Sequence, residues 1–131
     1  MKQELAEKIV NDFPDMFTKI GRGPNRKSMI GNHIYCGDGW FDIIYNLCKE
    51  IYPMRPQVQQ IKEKFGGLRF YASFPSDYSK QAWEIIRKAE EEASITCEIC
   101  GKKGERRVRN GWLSTECDEC YEKRIKGEED T

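Results

Sequence analysis

The chain has 131 residues, with 22 Lys and Arg balancing 22 Asp and Glu, a single histidine and six cysteines. Zero net charge excludes a global electrostatic pull toward nucleic acid or an anionic surface. Charged residues at 34% and a mean hydropathy of −0.78 predict a soluble chain, most simply one domain carrying a small metal-stapled lobe.

Taken in chain order, Leu5, Ile9 and Phe13 recur every four residues and predict an opening helix that stops before Pro14. Met16, Phe17 and Ile20 continue the apolar side, and Gly21 to Lys27 reads as a basic loop. Cys36-Gly-Asp-Gly-Trp40 is a turn entering a second helix, with Asp38 placed as its N-cap. That helix carries the stripe Trp40, Ile43, Ile44, Leu47, Cys48 and Ile51, which core packing explains without a cofactor.

Val58 to Phe65 and Leu68 to Phe74 predict a β-hairpin, with Gly66-Gly67 supplying the positive φ angles of its turn. The Gly pair lacks the spaced glycines and Lys-Ser/Thr of a phosphate-cradling loop. Ser76-Asp77 caps a third helix, marked by Tyr78, Ala82, Ile85, Ile86, Ala89 and Ala93, which leads directly into Cys97. Charge is uneven along this stretch: residues 53–75 hold four bases against one acid, and residues 76–96 five acids against three bases.

Cys97-x-x-Cys100 and Cys117-x-x-Cys120 are the most informative residues. Each doublet sets two sulfurs about 4 Å apart, the edge of a Zn²⁺ tetrahedron. The 16 residues between the doublets suit a four-thiolate site. Two disulfides or a redox Cys-x-x-Cys are the alternatives, and two doublets flanking a hairpin favour metal. The hairpin is signalled by Asn110-Gly111 between Arg106–Arg109 and Trp112–Thr115. Tyr121 and Ile125 then mark a short helix whose first turn carries the last ligands.

Knuckle, hairpin and helix is the order of a treble clef, with a zinc ribbon as runner-up. Four thiolates predict one structural Zn²⁺ and leave no position for an activated water. Cys36 and Cys48 are expected to be buried free thiols.

The expected fold is therefore α+β, with helices packed on a small antiparallel hairpin sheet and a C-terminal four-cysteine lobe. Residues 1–95 form the body, 96–126 the lobe and 127–131 a frayed tail. The start of the chain lacks the apolar run of a signal peptide, and no stretch reaches membrane-spanning length, so a reducing cytoplasm is expected.

Nothing in the sequence assembles a catalytic site. His33 lies in a Gly/Asn-rich loop, and a second metal site from His33, Cys36 and Asp38 lacks a fourth ligand. His33-Ile34-Tyr35 also lacks the glutamate of a zinc deaminase. The expectation is a protein that is not an enzyme.

Three strings, Cys36 to Cys48, Ile61 to Tyr71, and Cys97-Glu-Ile-Cys-Gly101 with Gly111-Trp112 and Cys117, together resemble a group of small bacterial and phage proteins. That group ends in a zinc finger whose last ligand alternates between His and Cys, and here it is Cys120. The resemblance spans residues 33–121 and implies a phage or prophage setting in a host bacterial cytoplasm. A small non-enzymatic zinc protein in that setting resembles a type II anti-CRISPR, which implies a host defence effector such as Cas9 as partner.

The alternative is a zinc-finger nucleic-acid binder or regulator using Lys102, Lys103, Arg106, Arg107 and Arg109. Five acids in the same lobe offset those five bases and weaken that reading. A structural adaptor is a third possibility. Exposed Trp and Arg residues are common interface anchors, which makes Arg109 and Trp112 the candidate partner contacts.

Overall fold

The computed structural model describes residues 1–17, 34–109 and 111–129, so the expected loop at 21–27, Ile20 and His33 lie outside the described residues. The chain is α+β. Helix α1 (Gln3–Asp12) buries Ala6, Ile9 and Val10, and the backbone leaves the helix at Phe13, ahead of Pro14. A 3₁₀ turn follows and buries Met16 and Phe17. Strand β1 (Ile34–Tyr35) precedes a second 3₁₀ turn (Asp38–Trp40) and helix α2 (Phe41–Ile51). Strands β2 (Gln57–Lys64) and β3 (Gly67–Ser73) come next, then helix α3 (Ser79–Ala93). The C-terminal part is a hairpin, β4 (Glu105–Arg109) and β5 (Trp112–Glu116), and a helix, α4 (Asp118–Glu129).

The first sheet has the order β1-β2-β3. β2 and β3 are antiparallel, whereas β1 runs parallel to β2 and pairs Ile34 with Ile61 and Tyr35 with Lys62. The sheet is thus mixed, and its two-residue parallel strand is too short to carry a periodic signal. Val58, Ile61, Leu68 and Phe70 point from the sheet onto α1, α2 and α3, where they join Trp40, Ile44, Leu47, Cys48, Ile51 and Ile86 in one core. The other face of the sheet carries Gln60, Lys62, Lys64, Arg69 and Tyr71. This is the period-2 division expected of an antiparallel pair with one covered face.

Three local expectations are corrected. The β2–β3 turn uses Phe65-Gly66 and not Gly66-Gly67: φ is +56° at Phe65 and +81° at Gly66, and Gly67 already pairs with Lys64. A two-residue turn of this kind requires positive φ at both central positions, and the register fixes which two. Asp38 makes no side-chain cap on α2. Its carboxylate instead accepts the Lys2 backbone N–H at 2.7 Å. Asp77 makes no cap either, because a 3₁₀ turn over Ser76–Tyr78 leads into α3. In addition, α4 runs on to Glu129, three residues beyond its expected end at 126.

Candidate metal centre

The site is built from a turn and a helix start. After α3, Thr96 bridges to Lys103, and the intervening chain folds into a knuckle. The Cys97 N–H donates to the Lys102 carbonyl at 2.7 Å, and the Gly101 N–H donates to the Cys97 carbonyl at 2.9 Å. Gly101 closes the knuckle with φ +83°, a backbone state that glycine adopts without the steric cost of a Cβ. Cys117 immediately precedes α4 and Cys120 lies in its first turn, with the Cys120 N–H directed at the Cys117 sulfur at 3.4 Å.

The four sulfurs all lie within 4.8 Å of one another, and Cys100 and Cys117 are 3.5 Å apart. They form the one such group found among the described residues. Cys97 and Cys117 are buried, Cys120 is half-buried and Cys100 is exposed. Burial alone would push the Cys97 thiol up. Hydrogen bonds from the backbone at Cys100, Cys117 and Ile99 outweigh it and bring the thiol down to about 7. Cys120 moves the other way, raised by burial and by its bonds with the neighbouring thiols. Four converging, unbridged thiols are the donor set of a soft or borderline metal ion. The sequence-derived ligand set is therefore brought together intact, and it can hold a metal.

The finger is set against the body at two places, both lined by glycine. At the first, the Gly39 N–H donates to the Glu98 carbonyl at 2.7 Å, and the Gly37 N–H donates to the Glu98 carboxylate at 2.8 Å. The Trp40 indole N–H donates to the Thr96 carbonyl at 2.8 Å. A Cβ on Gly39 would sit 2.1 Å from the Cys97 carbonyl oxygen, and one on Gly37 would sit 2.3 Å from that of Glu98. Those glycines are required by close backbone approach. At the second place, the Thr115 hydroxyl donates to the Gly66 carbonyl at 2.6 Å, and Arg106 donates to the Phe65 carbonyl. The Cys36–Trp40 turn and the Phe65-Gly66 turn are thus sockets for the knuckle and for β5.

Charge inside the finger is largely internal. Glu116 is 3% exposed and is bound by Arg124 at 2.8 Å and by the Ser114 hydroxyl at 2.5 Å. Arg107 stacks on Tyr121 with 4.5 Å to the ring centroid, donates to the Glu116 carbonyl and bonds Asp118. Lys102 reaches Glu119 at 3.4 Å. Four of the finger's cations therefore already have partners within the chain.

Trp112 does not pack the finger onto the preceding helix; it is 68% exposed at the hairpin tip. Its backbone pairs with that of Arg109 across the two-residue loop. Asn110 lies outside the described residues, and Gly111 has φ +79° as that loop requires. Cys36 and Cys48 stand apart from the cluster, 5% and 0% exposed, and burial pushes both thiols up to about 12. Phe65, which sequence reasoning placed at a strand end, is 60% exposed beside Trp112. Its signal was the Phe-Gly pair itself, since a turn residue next to glycine has no core to enter. Compared with family models, curated proteins and solved structures, the chain matches none of them.

Proposed function

We propose that Cys97, Cys100, Cys117 and Cys120 hold one structural Zn²⁺ and that the protein acts by binding another protein, without chemistry of its own. The metal reading rests on the donor set: Zn–S bonds of about 2.3 Å give sulfur–sulfur edges of about 3.8 Å, and the four sulfurs lie within 4.8 Å of one another. Four thiolates fill the coordination sphere, so the ion would staple the knuckle to α4 and activate no water. Thiolate ligands also fit a reducing cytoplasm, and no described helix is long and apolar enough to cross a membrane.

The observation that carries the binding reading is the apolar tip formed where two turns meet. Trp112 and Phe65 are 68% and 60% exposed. Glu63, Lys64, Phe65, Gly111, Trp112 and Leu113 line a cleft of about 340 Å³ there. Phe65 presents its ring from a left-handed backbone state that a bulky residue rarely adopts. Large aromatics on a hydrogen-bonded support are the usual anchors of protein interfaces. In the phage setting that the sequence resemblance implies, the partner is a host defence effector, with Cas9 as the first candidate.

The nucleic-acid reading of the finger is weaker, because Lys102, Arg106, Arg107 and Arg124 are engaged within the chain. The test is a reconstituted Cas9 cleavage reaction with increasing protein, alongside recovery of the complex. Inhibition with the protein bound to Cas9, lost in Trp112→Ala, supports the reading. Full cleavage with no complex removes Cas9 as the partner.

A further inference from the structure

The outer face of the β1-β2-β3 sheet has the composition that the finger lacks. Across the strands, Tyr35 lies opposite Lys62, and Lys62 lies opposite Arg69. With strands about 4.8 Å apart, these three side chains form a row about 10 Å long. The neighbouring row pairs Gln60 with Tyr71, and Lys64 follows toward the turn. Among the described residues of this face there is no carboxylate, and Lys62, Lys64 and Arg69 form no ion pair. Glu63 turns away to accept the Gly66 N–H, and Glu90 sits at the edge of β3 on the Phe70 N–H. Tyr35 is 53% exposed and Tyr71 44%. The cations interleave with the rings: Lys62 Nζ lies 5.8 Å from the Tyr71 centroid, and Lys64 Nζ lies 5.5 Å from that of Phe65.

We propose that this sheet face binds single-stranded nucleic acid, with Tyr71 as a stacking platform for a base and Lys62, Lys64 and Arg69 as phosphate contacts. An exposed ring on a paired strand suits an unstacked base, whose face a duplex hides. Lys62 and Lys64 are two residues apart on one strand, about 7 Å by strand rise, which suits successive phosphates of an extended chain. Lys62 and Lys64 have no ion-pair partner among the described residues, and the Glu90 carboxylate near Arg69 offsets only one of the three cations, so the face attracts a polyanion even though the whole chain is neutral. The site uses neither the metal centre nor Trp112 and shares only Lys64 with the cleft of the protein-binding tip.

The experiment is fluorescence anisotropy of a labelled deoxythymidine oligomer of about 15 nucleotides, with metal-loaded full-length protein over a salt series. Binding at low salt is expected, with log K falling against log salt at a slope of about −2, as three phosphate contacts on a single strand imply. Lys62→Gln, Lys64→Gln and Arg69→Gln together should flatten that slope. Tyr71→Ala should weaken binding about tenfold with the slope unchanged. Circular dichroism and metal content check that these surface variants fold. A duplex that binds as well as the single strand, polyglutamate that competes as well as the oligonucleotide, or a triple variant that binds like the parent would each overturn the proposal.

Discussion

The body and the finger of this protein are held together by different physics. The body buries Trp40, Phe17, Ile9, Met16, Ile44 and Ile51 to under 2% exposure around a single apolar cluster. Removing such area from water stabilises by about 25 cal/mol per Å². In the finger, Leu113 is only partly covered, and Val108 and Trp112 face solvent. What converges there is four thiols, a buried Glu116 paired with the half-buried Arg124, and an Arg107–Tyr121 stack. Apolar burial is spread over many side chains, whereas a centre with four ligands and few apolar contacts depends on each of them. The comparison explains why fragility should sit in the finger, whose apolar interior is so small.

Metal removal should break the comparison most visibly. Chelation, or Cys117→Ser, is expected to unfold the finger, since ion binding and folding of so small a lobe are one process. The body should keep its helical circular dichroism, because its core contains no ligand. Loss of the whole signal in one step would show that the two regions are a single cooperative unit.

Next in size is the joint between them. Gly39→Ala places a methyl 2.1 Å from the Cys97 carbonyl and 2.6 Å from the Gly101 nitrogen, both backbone atoms that cannot step aside. A loss of about 3 kcal/mol in denaturant melts is expected. Gly111→Ala is the matched control. Nothing lies within 4 Å of its Cβ position, and only the φ of +79° resists the change. The cost there should be about 1 kcal/mol. Equal costs at the two glycines would mean that the close approach at Gly39 has no energetic weight.

The joint is also where sequence reasoning reached its limit. The cysteine ligands were legible because metal spacing is a local pattern, and the helices because their apolar periodicity is local too. By contrast, Gly37 and Gly39 read only as a turn, since the backbone they must avoid lies some 60 residues further along the chain. The turn of the β2–β3 hairpin was misplaced by one residue for a related reason: register against β2, not composition, puts Phe65 in the left-handed region. Asp38 carries the right side chain for a helix cap, but the Lys2 N–H, supplied by a distant segment, takes its carboxylate. The outer face of the sheet was visible only as a basic excess over residues 53–75. Which of those bases share a face became clear from the pairing of Lys62 with Arg69 and of Tyr35 with Lys62.

Two smaller effects sharpen the contrast. Arg124→Ala leaves the Glu116 carboxylate buried without its cation. A loss of about 2–3 kcal/mol is expected, at the lower end for a broken pair because Arg124 itself keeps some solvent contact. Chemical denaturation of the metal-loaded variant measures it, and an unchanged midpoint would show that Ser114 alone satisfies Glu116. Trp112→Ala should change stability by under about 0.5 kcal/mol, the range of an exposed substitution. If the tip is the binding surface, the same change should abolish partner binding. A large stability loss would instead make Trp112 a packing residue.

The central claim is that a metal held by four cysteines folds the finger and seats it in the body's two glycine-lined sockets. Hydrogen–deuterium exchange of metal-loaded and metal-free protein tests it most directly. The account predicts that metal removal abolishes protection over residues 96–129 and loosens the sockets at Gly37–Trp40 and Phe65–Gly67, while the α2 amides from Leu47 to Ile51 keep theirs. Identical exchange with and without metal, or loss of protection in α2 to the same degree as in the finger, would contradict it.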